Sequence, residues 1–353
     1  MDDFFIKVEQ QLRNNLPFVI YNKPNSDKLI GFFQNDAELH LVSDFTEVGF
    51  IIAPFQGKEV VIIPKSQSEI IISHWSHHEQ NAHIHPHSLA LPFEKLAFEN
   101  LVAKGIIAIE MGKFQKVVLS RKEDIALPYF DLSTIFNELL NAYPTAFTYC
   151  FYHPKIGMWM GASPEQLVKV KTNQFETIAL AGTQKFDGED NVLWENKEKE
   201  EQQIVTDFIL ENLENVTSDI AFSSPYTYKA GNLLHIKTDI SGVLNDPSNV
   251  KQLVEILHPT PAVCGLPKEK ARDFILQHEG YDRKYYSGYL GELHANFNSD
   301  LVTTDLFVNL RCMEITNNIA SLYIGCGVTK DSNPELEFIE TVNKSMTIKK
   351  ILN

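Results

Sequence analysis

The chain has 353 residues, 44% hydrophobic and 22% charged, enough for one large or two average domains around a buried core. Its 31 basic and 46 acidic side chains leave a formal charge of −15, which excludes a nucleic-acid binder working through a basic footprint; an anionic substrate would need a local reversal of sign from a cation or a few Arg and Lys. No apolar run is long enough to cross a bilayer, the acidic start MDDFFIKVEQQLRNN is not a secretory signal, and Cys150, Cys264, Cys312 and Cys326, widely spaced without a CxxC pair, suit a reducing cytoplasm.

Residues 2–15 read as a short amphipathic helix, followed by the strand-like pieces FVIYN, KLIGFF, LHLV, GFIIAPF and EVVIIP between turn residues. Between His74 and Ser88 six histidines crowd one segment. Their spacing repeats neither a zinc finger nor an HxxxH pattern and no cysteine is near, so a solvated loop is expected rather than a metal site. Leu96, Phe98, Leu101, Val102 and Ile106 recur at helical intervals and predict a helix over 92–111.

A strand follows in FQKVVLSRKEDIAL, whose alternation puts Lys116 on one side with Val118 and Ser120, opposite Val117, Leu119 and Arg121. A lysine among apolar neighbours either snorkels at a sheet edge or is a buried base, and its own surroundings favour the edge. After a helix over 131–143 come strands in AFTYCFYH and MWMGASPEQLVKV. Ser163, Pro164 and Glu165 interrupt the second, which sets Glu165 at a turn. The apolar TIALAGTQ runs into Gly182 and Thr183, a turn able to offer N–H groups to an anion.

Past an acidic loop over 186–195, NKEKEEQQIVTDFILENLENV is a helix on which Glu198 and Glu201 continue the stripe of Val205 and Phe208, so both carboxylates point to the buried side. YTYKAGNLLHIKTDISGVL is strand-like, SNVKQLVEIL helical, and HPTPAVCG, from His258 to Gly265, a rigid connector before another helix. DRKYYSGYLGEL spaces Arg283, Tyr286, Gly288 and Gly291 as RxxYxGxxG. The strand pair LVTTDLFVNLRCMEI and IASLYIGCGV carries Arg311 in mid-strand, where burial calls for an anionic partner. Gly325 and Gly327 then bracket a tight turn, and Ser332 to Glu335 has capping-box spacing with Pro334 in the first helical turn. On the helix so started, Glu337, Glu340 and Lys344 share a face beside an apolar stripe of Leu336, Ile339 and Met346. Alone that face reads as solvated; facing Glu198 and Glu201 it would make an oxygen-rich site for a hard cation such as Mg²⁺.

Taken in order, KVVLSR, GASPE, ALAGT, KExxE, LHPTPAVCG, RxxYSGxxG, NLRC and GxG…PExExxExxxK resemble the chorismate-utilising enzymes, and within them the isochorismate synthase branch. The resemblance covers about residues 95 to 350. A single chorismate-binding catalytic domain over 1–353 is expected, with a variable β-rich part in 1–94 and the motif-bearing core in 95–353. Alternating strands and helices alone allow an α/β fold. The resemblance implies instead an α+β fold, two stacked antiparallel β-sheets with outer helices and an active-site cleft between the layers.

It also implies a reaction, the addition of water at carbon 2 of chorismate with departure of the hydroxyl at carbon 4. Lys116 matches the family's base and would have to act as the neutral amine, and Glu165 matches the general acid and must hold a proton, so the two need opposite displacements. Glu198, Glu201, Glu337 and Glu340 match the Mg²⁺ cluster that would hold a substrate carboxylate. Arg311, Lys344 and the backbone around Gly182, Thr183 and Gly325 would cradle the other carboxylate and the ring substituents, with His258 as a hydroxyl contact. Ala181 stands where aminodeoxychorismate-forming relatives commonly carry Lys, and HPTPAVCG where anthranilate-forming ones have a PxGTxTG-type sequence. Both differences point to water as nucleophile, with no glutaminase subunit, and a monomer needs no further assumption. Gln202 departs from the His usual in the family. The alternatives are a salicylate synthase, which would go on to eliminate pyruvate, an aminating relative, and a chorismate binder without chemistry, against which Lys116 and Glu165 speak. Isochorismate made here would feed menaquinone or an iron-chelating catechol.

Overall fold

The period-two segments are satisfied by two sheets in which every ladder is antiparallel. The structure, a computed structural model, describes residues 2–76, 92–186, 188, 192–230, 233–246, 250–297 and 301–352. The first sheet has nine strands, ordered Gly265–Leu266, Lys116–Ala126, Ile319–Val328, Cys312–Thr316, Gly157–Ser163, Phe147–His153, Phe18–Asn22, Lys28–Gln34 and Ser68–His74. The second runs Thr217–Phe222, Leu233–Leu244, Gln174–Lys185, Gln166–Lys171, Thr303–Val308, Tyr289–Leu293, Gly49–Ala53, Val61–Pro64 and His40–Leu41, with Tyr226–Ala230 paired onto Leu233–Leu244. The architecture is thus α+β, as the family resemblance implied, and the α/β alternative falls because no ladder among the described residues is parallel. The amino-terminal strands are woven into both layers, since Phe18–Asn22 pairs with Phe147–His153 and Gly49–Ala53 with Tyr289–Leu293.

Between the layers lies an aromatic core in which Phe147 stacks on Phe307 at a centroid distance of 4.4 Å and Tyr21 on Phe147 at 5.5 Å. One charged group crosses it. Lys23 Nζ, at the end of the first-sheet strand Phe18–Asn22, is 2.7 Å from Glu292 and 2.6 Å from Asp305 of the second sheet. Tyr21 donates to the other Glu292 oxygen at 2.6 Å and Gln166 to the other Asp305 oxygen at 2.7 Å. Helices cover the outer faces, Asp2–Arg13 and Leu132–Ala142 against the first sheet and Asn196–Leu213 and Val250–Leu257 against the second.

Several local expectations shift. LHLV shortens to His40–Leu41, YTYKAGNLLHIKTDISGVL folds as two strands, and Thr217–Phe222 adds a strand that the spacing did not reveal. Asp131 caps the helix Leu132–Ala142 by accepting from Thr134 N at 3.1 Å. Five of the six clustered histidines lie in 77–91, outside the described residues; His74 is exposed, its Nδ1 3.2 Å from Asp27. Gly325 and Gly327 are not in a turn but inside the strand Ile319–Val328, and Arg311 is not in mid-strand but between Thr303–Val308 and Cys312–Thr316, with φ +48°.

The last helix, Pro334–Lys349, is capped by Asn333 and not by Ser332: Asn333 Oδ1 accepts from Glu335 N and Leu336 N at 3.0 and 3.1 Å. Its apolar-looking stripe faces out, with Leu336, Ile339 and Met346 exposed, while Glu337, Phe338, Thr341 and Ser345 are buried. The strand Lys116–Ala126 selects that face. Arg121 Nε donates to Thr341 Oγ1 at 2.8 Å and lays its guanidinium over the Phe338 ring, and Lys349 pairs with Glu123.

Candidate active site

The chain crosses from the first sheet to the second at Ser163–Pro164–Glu165 and returns at Asn309–Leu310–Arg311. Both crossings border one cleft, so a carboxyl and a guanidinium arrive together from turns that the two-layer topology makes necessary. Ser163 Oγ donates to Val308 O at 2.5 Å and Val308 N to Glu165 O at 2.9 Å, which stitches the crossings to each other. Burial pushes the Glu165 carboxyl up to about 7, although Lys116, Lys344 and Arg311 all pull it down. A carboxylic acid that keeps its proton near neutral pH is the result.

Lys116 is wholly buried, with Nζ 2.8 Å from Glu201 Oε1, so the edge position suggested by its neighbours is wrong. The strand alternation itself holds, since Val118 lines the cleft while Val117 and Leu119 pack behind it. Burial raises the Glu201 carboxyl, but Lys116, Lys344 and Lys197 outweigh it and hold the pKa below the ordinary value. Gly327 leaves room for this pair: a Cβ there would collide with Glu201 Oε1 and come 3.2 Å from Lys116 Cε.

Gly182 and Thr183 form a bulge rather than a turn. The pairing steps from Ala181↔Ile236 to Gln184↔Leu234, leaving the two residues opposite His235. Gly182 needs φ +72° for this. The Nδ1–H of His235 donates to Gly182 O at 2.8 Å, so the neutral ring keeps Nε2 as an acceptor, buried and without a hydrogen-bond partner in the protein. Burial, and then Arg311, push His235 down to about 3. The sequence reasoning missed this residue and chose His258, which the structure sets outside the cleft with Nε2 3.2 Å from Pro54 O and its ring against Tyr289. The available signal was an isolated histidine between Leu234 and Ile236; its neighbour across the sheet could not be read locally.

The last helix brings Glu337, Glu340 and Lys344, and the helix Asn196–Leu213 brings Glu198 and Glu201. Lys344 is 2.7 Å from Glu340 and donates to Gly325 O at 3.0 Å. Burial opposes its charge, and Glu340 more than compensates and raises its pKa. Arg311 Nη1 donates to Thr347 Oγ1 at 2.8 Å. Gln202, in place of the expected His, donates to Thr206 and Thr238 at 2.8 and 2.7 Å and fastens the glutamate helix to the strand Leu233–Leu244.

Among the described residues no group of three or more His, Cys, Asp or Glu stands within reach of one metal ion as the side chains lie. Lysines hold three of the four glutamates: Lys116 on Glu201, Lys197 on Glu337 at 2.6 Å, and Lys344 on Glu340. Two carboxylate oxygens, Glu198 Oε2 and Glu337 Oε2, are nevertheless buried without a hydrogen-bond partner. Burial, and then the charge of Glu340, raise the Glu337 carboxyl despite Lys197. Hard oxygen donors in excess, two of them orphaned, fit Mg²⁺.

The profile of the chorismate binding enzymes matches residues 58–353. The salicylate-biosynthesis isochorismate synthase of Pseudomonas aeruginosa is 30% identical over 269 residues, covering 74% of this chain and 55% of that protein. Isochorismate synthase EntC of Escherichia coli is 29% identical over 269 residues, covering 73% and 67%. The chain therefore spans between about half and two thirds of the length of these relatives. Among solved structures, MenF, the menaquinone-specific isochorismate synthase from Escherichia coli, superposes with a TM-score of 0.78 at 20% identity, covering 96% of this chain and 89% of that one. DhbC from Bacillus anthracis gives 0.80 at 23% identity, covering 98% and 99%. These likenesses carry the fold, and the profile match over most of the sequence carries the family: the chain belongs to the chorismate-binding enzymes.

Proposed function

We propose that the protein is a Mg²⁺-dependent isochorismate synthase, an isomerase that converts chorismate to isochorismate. The observation that carries this is a buried amine, Lys116, 2.8 Å from the cleft-lining Glu201, and a carboxyl that keeps its proton near neutral pH, Glu165, in the same cleft as Arg311 and Lys344. A binder without chemistry has no use for such a pair. Lys116, an ammonium while paired with Glu201, must first give up its proton; as the base it then takes one from the water that adds at carbon 2, the ring double bonds shift, and the hydroxyl at carbon 4 leaves as water with the proton of Glu165. One water enters and one departs, so the step is an isomerisation.

Chorismate is a dianion, and the cleft meets it with Arg311 and Lys344; the Glu201 and Glu340 carboxylates that also line it offset these two charges and leave the reversal of sign to a bound cation. His235 Nε2, which burial keeps as an acceptor near neutral pH, suits a ring hydroxyl, and the Gly182–Thr183 bulge offers backbone and hydroxyl groups beside it. Glu198, Glu201, Glu337 and Glu340 would hold Mg²⁺, which when bound supplies counter-charge for these carboxylates and for one carboxylate of the substrate. We further propose that the enzyme works as a cytoplasmic monomer with no glutaminase, membrane or nucleic-acid partner; four free, buried cysteines suit that compartment.

Incubating pure protein with chorismate, with and without Mg²⁺, and identifying the product tests the reading. Isochorismate formed only with Mg²⁺ is expected. Salicylate and pyruvate would make the chain a salicylate synthase, and a requirement for glutamine or ammonia would make it an aminating enzyme.

A further inference from the structure

Lys197 is the second residue of the helix Asn196–Leu213 and immediately precedes Glu198, yet its ammonium reaches across to the other glutamate helix. It sits 2.6 Å from Glu337 Oε1, where the Glu337 side chain is 1% exposed and that of Lys197 27%. The charges of Glu337, Glu340 and Glu201 all act on it. No other cation is paired with Glu337 among the described residues, and a carboxylate so deeply buried is costly without one. A single ammonium satisfies one oxygen; Glu337 Oε2, on the residue it pairs with, and Glu198 Oε2, on the next residue of its own helix, are buried without a hydrogen-bond partner.

From this arrangement we infer that Lys197 is a tethered counter-ion, filling the divalent-cation position at Glu337 while no cation is bound and withdrawing when one binds. The inference rests on the proposed Mg²⁺ cluster. It deepens that reading by adding a competitor carried by the chain. The helix pair stays docked without metal because Lys197 neutralises Glu337, and the metal has to displace it before both orphaned oxygens can be used. Partial exposure gives the long side chain a way out into water. The cost is affinity, because only the fraction of molecules with Lys197 withdrawn can accept the ion.

Isothermal titration with Mg²⁺ alone, on the full chain, tests this. Lys197→Met should bind Mg²⁺ about tenfold or more tightly than the unaltered protein, and should melt at a lower temperature without Mg²⁺ but gain more on adding it. Lys199→Met, which removes an exposed charge two residues on, controls for net charge and should stay within about twofold. On the unaltered protein, reductive methylation followed by mass spectrometry should label Lys197 faster with Mg²⁺ than without, a readout that stands even if the variant fails to fold. Equal or weaker Mg²⁺ binding by Lys197→Met, or a labelling rate indifferent to Mg²⁺, overturns the counter-ion role while leaving the cluster intact. Absence of Mg²⁺ binding by the unaltered protein would instead remove the cluster itself.

Discussion

Two buried charge clusters of this chain are built from the same kinds of group and are closed to different degrees. In the pin between the sheets, one oxygen of Glu292 and one of Asp305 meet Lys23, and the others accept from Tyr21 and Gln166. At the cleft and on the two glutamate helices that border it, Lys116, Lys197 and Lys344 balance three glutamates, yet Glu198 Oε2, Glu337 Oε2 and His235 Nε2 are buried without a hydrogen-bond partner. A closed cluster serves the fold alone. An open one costs stability and is kept where a ligand completes it. Burial of charge is common to both clusters; of the two, the one at the cleft alone keeps carboxylate oxygens without a hydrogen-bond partner.

The comparison breaks most sharply at the acid and the base. Lys116→Ala and Glu165→Gln should each lower kcat about 10³-fold and leave Mg²⁺ binding in place, since a positioned acid or base contributes roughly 10²–10⁴. Steady-state kinetics within a few-fold of the unaltered protein in either variant would remove its role. In the closed cluster the effect should appear in stability alone: Lys23→Met leaves Glu292 and Asp305 buried without their cation and should cost about 3–5 kcal/mol in denaturant unfolding, with kcat per folded molecule unchanged.

Glu165 offers a pH test with a definite sign. Its ordinary value is 4.5 and its folded value about 7, so the folded state binds the proton more tightly and loses that advantage as pH rises from 4.5 through 7. Glu165→Gln should therefore be more stable than the unaltered protein by about 3 kcal/mol at pH 8, and by almost nothing near pH 4.5. In the unaltered enzyme, kcat should fall above about pH 7 as the acid loses its proton. A difference independent of pH would mean that the carboxyl is ionised in the fold. The smallest effect is expected at the cap that starts the last helix: Asn333→Ala should lower stability by about 1 kcal/mol in a thermal melt.

Much of the fold was legible because strand and helix periods are local. The helix Leu132–Ala142 and the alternation around Lys116 were readable from side-chain spacing, and the family resemblance supplied the two-sheet architecture that period alone leaves open between α/β and α+β. Local reading failed where a partner from elsewhere decides. Lys116 was assigned to an edge because its mate, Glu201, comes from a helix far along the chain, and Leu336, Ile339 and Met346 read as an apolar face although Arg121 and Glu123 favour the opposite one.

By itself the sequence determined which residue types can do the chemistry and in what order they come, since acid, base, cationic and carboxylate motifs are written along the chain. The tertiary structure alone decided which of them meet. The crossings between the sheets bring Glu165 and Arg311 to one cleft, the bulge opposite His235 makes that histidine rather than His258 the ring at the site, and the pairing of Lys197 with Glu337 joins two helices some 140 residues apart. The physical reason is that an ionisable group takes its character from desolvation and from charges a few ångströms away, and those neighbours are set by packing, not by sequence separation.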